Sequence, residues 1–158
     1  MSRELITSWN DYRIAVDRLL ALAGEKIAIY DEDLVNLNFA ERSRRDHLQR
    51  ILRAGQGPAL RIAVRNAAPL QRNEPELLKL LSLYGHRASA QQTPEHLGHL
   101  RDNLLIIDDR HALIRFDRDQ ARSKLLLDEA DELRPYIGRF EEIWNEGGET
   151  INATTLGL

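Results

Sequence analysis

The sequence predicts a single mixed α/β domain in which helices pack on both faces of one β-sheet. Segments with helical spacing of apolar residues alternate with short apolar runs, and an acidic turn joins two adjacent strands, which makes the sheet mixed rather than purely parallel. The chain has 158 residues, 42% of them hydrophobic and 30% charged, which is ordinary for one globular domain. We predict that this domain spans residues 1–148 and is followed by a loosely structured tail at 149–158.

Helices and strands alternate through the first half of the chain. Apolar residues recur every three or four positions from Ser8 to Ala23, where Ser8 can cap the helix. A short apolar run over 26–30 predicts an interior strand, and a second helix is expected over 43–54. Residues 59–65 alternate between apolar and polar side chains, which is typical of a strand with one face buried.

The second half contains a third helix and a hairpin. Asn73-Glu74-Pro75-Glu76 is a capping signal for a helix that ends before Gly85, and residues 87–93 are a weaker candidate for an edge strand. Two strands, 103–107 and 111–116, flank Asp108-Asp109-Arg110, which predicts a β-hairpin with a tight acidic turn.

The last elements are a short strand at 124–127 and an amphipathic helix. We expect Asp131 to cap this helix, Pro135 to lie in its first turn and Gly147-Gly148 to end it. The alternative architecture is an open doubly wound sheet. It is disfavoured because Tyr30-Asp31-Glu32-Asp33 follows the first predicted strand, where a nucleotide-binding fold needs a Gly-rich phosphate loop.

Composition excludes several classes of function. The chain has no cysteine, so disulfides, thiolate metal sites and cysteine nucleophiles are ruled out. Its apolar runs are too short to cross a bilayer, and residues 1–5 do not resemble a secretory signal, so we expect a cytoplasmic location. His96 and His99 flank Leu97-Gly98 without a helical signal, and we predict neither a metal nor a cofactor.

Charge is distributed unevenly along the chain. The formal net charge of −3 argues against a general nucleic-acid binder. Acidic residues crowd the end of the chain, whereas arginines crowd the first half at positions 42, 44, 45, 50, 53, 61, 65 and 72. We interpret these as two solvated helix faces, with weak nucleic-acid binding through the arginines as an alternative.

The order of the elements resembles a single phospholipase D-like domain. The likeness covers roughly residues 15–146 and depends on the strand that ends in Tyr30-Asp31, the strand at 60–65, the hairpin at 103–116 and the closing helix with Phe140-Glu141-Glu142-Ile143-Trp144. More narrowly, the chain resembles an uncharacterised bacterial group of such domains, some of which follow acetyltransferase domains. Because active half-sites of this superfamily pair across a pseudo-twofold axis, the resemblance implies a homodimer.

Catalytic members of the superfamily carry His-x-Lys-x(4)-Asp, followed by Gly-Ser-x-Asn. In them the histidine attacks phosphorus and the lysine offsets charge on the phosphoryl oxygens. If Asp108 is the aspartate of this pattern, Arg101 replaces the histidine and Asn103 the lysine. If His99 is the histidine instead, Ile106 replaces the aspartate. Arg115-Phe116-Asp117-Arg118 stands where the small residues belong, so the resemblance implies a degenerate, inactive site.

Three polar residues remain candidates for binding an anion. His99, Arg101 and Asn103 lie two positions apart, so a strand would turn them to one face, and an arginine beside an amide suits phosphate or carboxylate. The competing interpretation is that Arg101 forms a structural ion pair with an acid. We therefore predict a non-catalytic binding or interaction module, and phosphate-bearing molecules are its candidate ligands. The alternative function is a phosphodiesterase or nuclease with a rearranged site that uses His99 and Arg101.

Overall fold

The computed structural model describes residues 1–151 and shows one eight-stranded sheet. Its strand order is β1-β7-β6-β5-β2-β3-β4-β8. Strands β2, β3 and β4 are parallel, and every other neighbouring pair is antiparallel, which confirms the mixed sheet. The strands are β1 (Ser2–Ile6), β2 (Ile27–Asp31), β3 (Leu60–Val64), β4 (Ala88–Gln92), β5 (Asn103–Ile107), β6 (His111–Arg115), β7 (Ser123–Leu127) and β8 (Glu149–Thr150).

Helices cover both faces of the sheet unequally. Side chains of the first four helices join the larger apolar core on one face, whereas the last helix packs on a smaller core on the other. Alternation along β2 separates the two cores: Ile27 and Ile29 belong to the larger one and Tyr30 to the smaller one. The helices are α1 (Trp9–Leu22), α2 (Arg42–Arg53), α3 (Ala68–Asn73), α4 (Pro75–Leu83) and α5 (Ala130–Asn145), with a 3-10 turn at Glu95–Leu97.

The helix starts agree with the sequence for α1 but not for α5. The Ser8 hydroxyl accepts a hydrogen bond from the main-chain N–H of Asp11, as the capping signal predicts. The expectation that Asp131 caps the last helix is wrong, because α5 begins at Ala130 after Glu129, with no side-chain cap. Pro135 consequently lies inside the helix rather than in its first turn.

The acidic hairpin turn has a structural role. Asp108 and Asp109 adopt left-handed backbone conformations, with φ of 55° and 54°, which a tight hairpin turn requires. The Asp108 carboxylate accepts hydrogen bonds of 2.8–2.9 Å from the main-chain N–H groups of residues 24–26. Although partial burial opposes ionisation, these three donors lower the pKa of Asp108. The hairpin is thereby fastened to the loop between α1 and β2.

Three elements have no counterpart in the sequence-based prediction: β1, α3 and β8. Strand β8 pairs with the end of β4, and Ile151 is buried. Residues 149–151 of the expected loose tail are therefore ordered on the sheet edge, while residues 152–158 lie outside the described part. The main chain at Gly148 lies close to that of Gln92, since an added Cβ at Gly148 would lie 2.0 Å from the carbonyl oxygen of Gln92.

No helix within residues 1–151 combines the length and apolarity needed to span a bilayer.

Candidate functional site

Polar residues collect at one end of the central strands. Asp31 ends β2, Arg65 follows β3, Asn103 begins β5 and Arg115 ends β6. Because β5 runs antiparallel to both β2 and β6, its first residue lies beside the last residues of those strands. This polar end of the sheet therefore joins residues that are far apart in sequence.

A buried ion pair lies on the α1 side of this end. An Nη2 atom of Arg115 is 3.1 Å from Oδ1 of Asp31, and the two side chains are 1% and 2% exposed. The other oxygen of Asp31 accepts a hydrogen bond from the N–H of Leu34. Nη1 of Arg115 donates to the main-chain oxygens of Asp117 and Arg118. The pair therefore holds the loop after β2 and the loop after β6 together.

Aromatic rings of α1 pack against the Arg115 guanidinium. Its Cζ lies 5.4 Å from the ring centroid of Trp9 and 5.3 Å from that of Tyr12, within the range of cation–π attraction. Burial and the nearby Asp31 carboxylate raise the pKa of Tyr12 to about 12. Burial also raises the pKa of Asp31, although Arg115 offsets part of that effect. These contacts hold the Arg115 guanidinium between α1 and the Asp31 carboxylate.

A second arginine occupies the α5 side. Arg65 lies over the ring of Tyr30, with its Cζ 4.7 Å from the centroid, and donates to Oδ1 of Asn103 at 2.8 Å. Its Nε donates to Glu32 at 2.9 Å, and Arg118 donates to the same carboxylate oxygen at 3.0 Å. Burial opposes ionisation of Glu32, but the hydrogen bonds from both arginines outweigh it and lower the pKa.

Two further ion-pair groups border this end. Arg101 donates to Asp117 at 2.6 Å and to Asp119 at 2.5 Å, and Arg139 donates to both oxygens of Asp102 at 2.8 and 2.9 Å. The hydrogen bonds from Arg101 and from the N–H of Asp119 hold the pKa of Asp117 at about 2.

Together these groups form a charge-balanced set, which we call the polar-end network. It has five arginines and five carboxylates, all joined in ion pairs: Arg65, Arg101, Arg115, Arg118, Arg139, Asp31, Glu32, Asp102, Asp117 and Asp119. Because positive and negative charges are equal in number and paired at short distance, the network has no surplus cation for an incoming anion.

The three anion-binding candidates have separate partners. The exposed His99 has its Nδ1 3.0 Å from the main-chain oxygen of His96. Arg101 is held by two aspartates, as the ion-pair interpretation expects. Asn103 is buried and bonds to Arg65 and to the main-chain N–H of Glu32. The direct link among the three is a hydrogen bond from the Asn103 amide to the carbonyl oxygen of Arg101.

The sequence-based reasoning missed the pairing of Arg115 with Asp31 and of Arg65 with Glu32. One signal was available, since an arginine at the end of an apolar strand must find an acid or carbonyl oxygens if it is buried. Asp108, which the pattern would place in the same site as Arg101 and Asn103, lies at the opposite end of β5. Its distance from Asn103 is roughly 16 Å at the usual rise of a strand. Among the described residues, no group of three or more His, Asp or Glu side chains could hold a metal ion.

Comparisons with known proteins identify the family and the fold. Residues 8–156 match the family described as "Domain of unknown function (DUF7931)". The chain belongs to this family. Its structure is similar to Nuc, a phospholipase D family member from Salmonella typhimurium, with a TM-score of 0.65 and 12% identity over 96% of this chain and 98% of that one. The fold is therefore phospholipase D-like.

Two other solved structures share this fold. NucT from Helicobacter pylori has a TM-score of 0.58 and 12% identity, with 96% of this chain and 98% of that chain covered. TrmBL2, an archaeal chromatin protein described with a novel mode of DNA binding, has a TM-score of 0.69 and 12% identity over 94% of this chain. This chain spans only 54% of TrmBL2. No curated protein sequence matches the chain.

Proposed function

We propose that this domain is a non-catalytic phospholipase D-like module that acts by binding. The observation that carries the proposal is the closed polar-end network, in which every charged group pairs with another and no imidazole takes part. The chemistry of the superfamily that the sequence resembles needs a histidine nucleophile. Arg101 stays protonated and cannot attack phosphorus, and Asn103 cannot supply the positive charge of a lysine.

The bulk of Arg115 supports the same conclusion. In the pattern that the sequence resembles, small residues stand where this chain has Arg115, a buried side chain that is held by Asp31 and two main-chain oxygens. Removing it from that position would leave the Asp31 carboxylate without its ion-pair partner. We therefore expect that a phosphate ester cannot displace Arg115 from Asp31 without a large cost in free energy.

A hydrolysis assay tests the proposal against the alternative enzyme. The purified protein is incubated with bis(4-nitrophenyl) phosphate, with and without chelator, and the release of nitrophenol is followed. We expect no release above the uncatalysed rate. Metal-independent release that disappears in His99→Ala would establish the rearranged phosphodiesterase site and overturn the proposal.

Two partner proposals accompany this function. The resemblance to a superfamily with paired half-sites supports a homodimer, which multi-angle light scattering tests: a single 18.2 kDa species at micromolar concentration would contradict it.

Binding of a phosphate-bearing ligand by His99, Arg101 and Asn103 also stays a prediction. It requires inorganic phosphate to raise the melting temperature of the wild type but not that of Arg101→Met.

Nucleic-acid binding is less favoured by the contacts of the arginine-rich half. Arg44 pairs with Asp17, and Arg50 donates to the carbonyl oxygens of Leu20 and Ala23 at the end of α1. Arg45 likewise donates to main-chain oxygens. These side chains fasten α2 to its neighbours rather than forming a free basic stripe. Retention on DNA at low salt, lost steeply as salt is added, would restore this alternative. A cytoplasmic location stays a prediction.

A further inference from the structure

A groove at the C-terminal half of α5 differs from the polar end of the sheet. Leu97, Leu100 and Ile143 contribute its apolar part, and the volume is about 610 Å³. Leu97 and Leu100 are only half-buried although they pack against the smaller core. Its polar lining is formed by His99, Arg139, Glu142, Asn145 and Glu146.

The charges of this groove are not balanced. Arg139 already forms two hydrogen bonds with Asp102, so its charge is compensated. Glu142 and Glu146 are exposed. Glu146 lies 2.9 Å from the imidazole of His96. The pKa of Arg139 is raised mainly by its hydrogen bonds to Asp102 and, to a smaller extent, by the nearby charge of Glu142.

Glu142 lies in the last turn of α5 and Glu146 is its C-cap residue, and the last turn contains no basic residue. Because the C-terminal end of a helix is its negative pole, carboxylates there are unfavourable and a cation placed beside them is favourable.

We propose that this groove binds a basic amphipathic segment of another protein. An apolar side chain of the segment would cover Leu97 and Leu100, while a lysine or arginine would extend its methylene stem over Ile143 and place its charged head beside Glu142. The inference rests on the proposed function, since it specifies the partner chemistry of a domain that binds without turnover. Charge complementarity and the half-buried leucines favour this occupant over an anionic or purely apolar one.

A second copy of the chain is a poorer occupant. The basic surface that it could offer lies between α2 and α4, around Arg42, Arg45 and Lys79. There Lys79 pairs with Glu76, and Arg45 donates to main-chain oxygens. Asp46 lines the same surface. Glu76 and Asp46 therefore offset two of the three positive charges that line this surface, which makes it a weaker match for the glutamates of the groove.

The test is a titration with a defined probe. A fluorescently labelled peptide with leucines at helical spacing and lysines at the other positions is titrated with the full chain, and fluorescence anisotropy is measured. A peptide with glutamate in place of lysine is the first control. We expect binding of the lysine peptide alone, and a loss of about tenfold in affinity in Glu142→Lys, which corresponds to about 1.4 kcal/mol.

A matched charge reversal separates the groove from general electrostatics. Glu25 is equally exposed but lies outside the groove, so Glu25→Lys should change the affinity by less than about twofold. A second variant, Leu97→Ser, should weaken binding while circular dichroism shows an intact fold. Equal losses in both charge-reversal variants, or no binding of the lysine peptide, would overturn the inference.

Sedimentation of the protein alone completes the test. Self-association that disappears in Glu142→Lys would mean that a second copy occupies the groove, and would overturn the choice of a foreign segment. None of these results depends on phosphate-ester turnover. Failure of the groove and failure of the non-catalytic function are therefore read from different assays.

Discussion

The polar end of the sheet and the groove beside α5 use charge in opposite ways. In the polar-end network, each carboxylate contacts an arginine, and the central pair of Asp31 and Arg115 is fully buried. In the groove, Glu142 and Glu146 are exposed at the negative pole of a helix. The comparison teaches that the charges at the polar end of the sheet stabilise the fold by pairing with one another, while the exposed carboxylates of the groove remain accessible to a partner.

The largest expected effect comes from breaking the central pair of the network. Arg115→Met leaves the buried Asp31 carboxylate uncompensated and removes two hydrogen bonds to main-chain oxygens, so we expect a loss of about 3–5 kcal/mol in the free energy of unfolding. Urea denaturation measures it. Arg118→Met removes a more exposed arginine of the same network and should cost less than about 1 kcal/mol. Equal losses would show that burial does not distinguish the two arginines.

The next effect concerns Gly148, which lies between α5 and β8. Gly148 has a φ of +140°, and a Cβ there would lie 2.0 Å from the oxygen of Gln92. Gly148→Ala should therefore detach β8 or strain it, at a cost of about 2–3 kcal/mol. Gly138 lies inside α5, and an added Cβ there would have no neighbouring atom within 4 Å, so Gly138→Ala should stabilise the protein by about 0.5–1 kcal/mol. Thermal unfolding of both variants compares them, and a Gly148→Ala variant as stable as the wild type would mean that the close approach of Gly148 to Gln92 is not required.

Glu74 is a half-buried carboxylate outside both regions, and it shows how burial of an acid affects the pH dependence of stability. Glu74 has a buried Oε1 without a hydrogen-bond partner among the described residues. Burial and the nearby Asp33 raise its pKa from the ordinary 4.5 to about 7, against smaller opposing effects of the Phe39 N–H and Arg45. The folded state therefore binds this proton more tightly than the unfolded state does, and stability decreases as the pH rises between these two values.

The pH dependence gives the measurement. After allowance for the partial exposure of Glu74, we expect the free energy of unfolding of the wild type to fall by about 2 kcal/mol between roughly pH 5 and pH 8. The free energy of unfolding of Glu74→Gln should fall much less. Urea denaturation at both pH values gives the difference. Glu76→Gln, at an exposed neighbour paired with Lys79, is the control and should follow the wild type. A wild-type profile that stays flat in this range would contradict the assignment.

The smallest effect tests the charge of the groove directly. Glu142→Gln removes a carboxylate from the negative pole of α5 and should stabilise the protein by about 0.3–0.5 kcal/mol at low salt. Glu141 is the matched control because it lies beside Glu142 but pairs with Arg61 at 2.5 Å. Glu141→Gln should be neutral or destabilising in the same thermal unfolding experiment. If Glu142→Gln also destabilised the protein, the carboxylate would be compensated in a way that the groove proposal does not allow.

Much of the fold follows from local sequence, and the exceptions have physical causes. The Ser8 cap, the alternation along β3 and the acidic hairpin are local features, and each is present in the structure. Strands β1 and β8 were missed because their positions depend on pairing with β7 and β4 rather than on their own periodicity. The misassigned cap at Asp131 reflects a similar limit. Glu129 is the N-cap residue of α5, so the helix begins two residues earlier than a cap at Asp131 would place it.

For the candidate site, the sequence predicted individual residues but not the partners of those residues. If Asp108 marks the pattern, the sequence predicts that Arg101 and Asn103 replace its histidine and lysine, whereas if His99 marks it, Ile106 replaces the aspartate. The partners of these residues depend on folding. Asp31 and Arg115 are 84 positions apart, and nothing in the local sequence specifies that pairing.

By itself, then, the sequence determined the type and order of most elements and the mixed sheet. Tertiary structure decided which arginines are compensated and which carboxylates are exposed. The physical reason is that hydrophobic periodicity and capping act between near neighbours in the chain. Ion pairing depends instead on distance and burial in the folded state, which parallel and antiparallel strand pairing set for residues far apart in sequence.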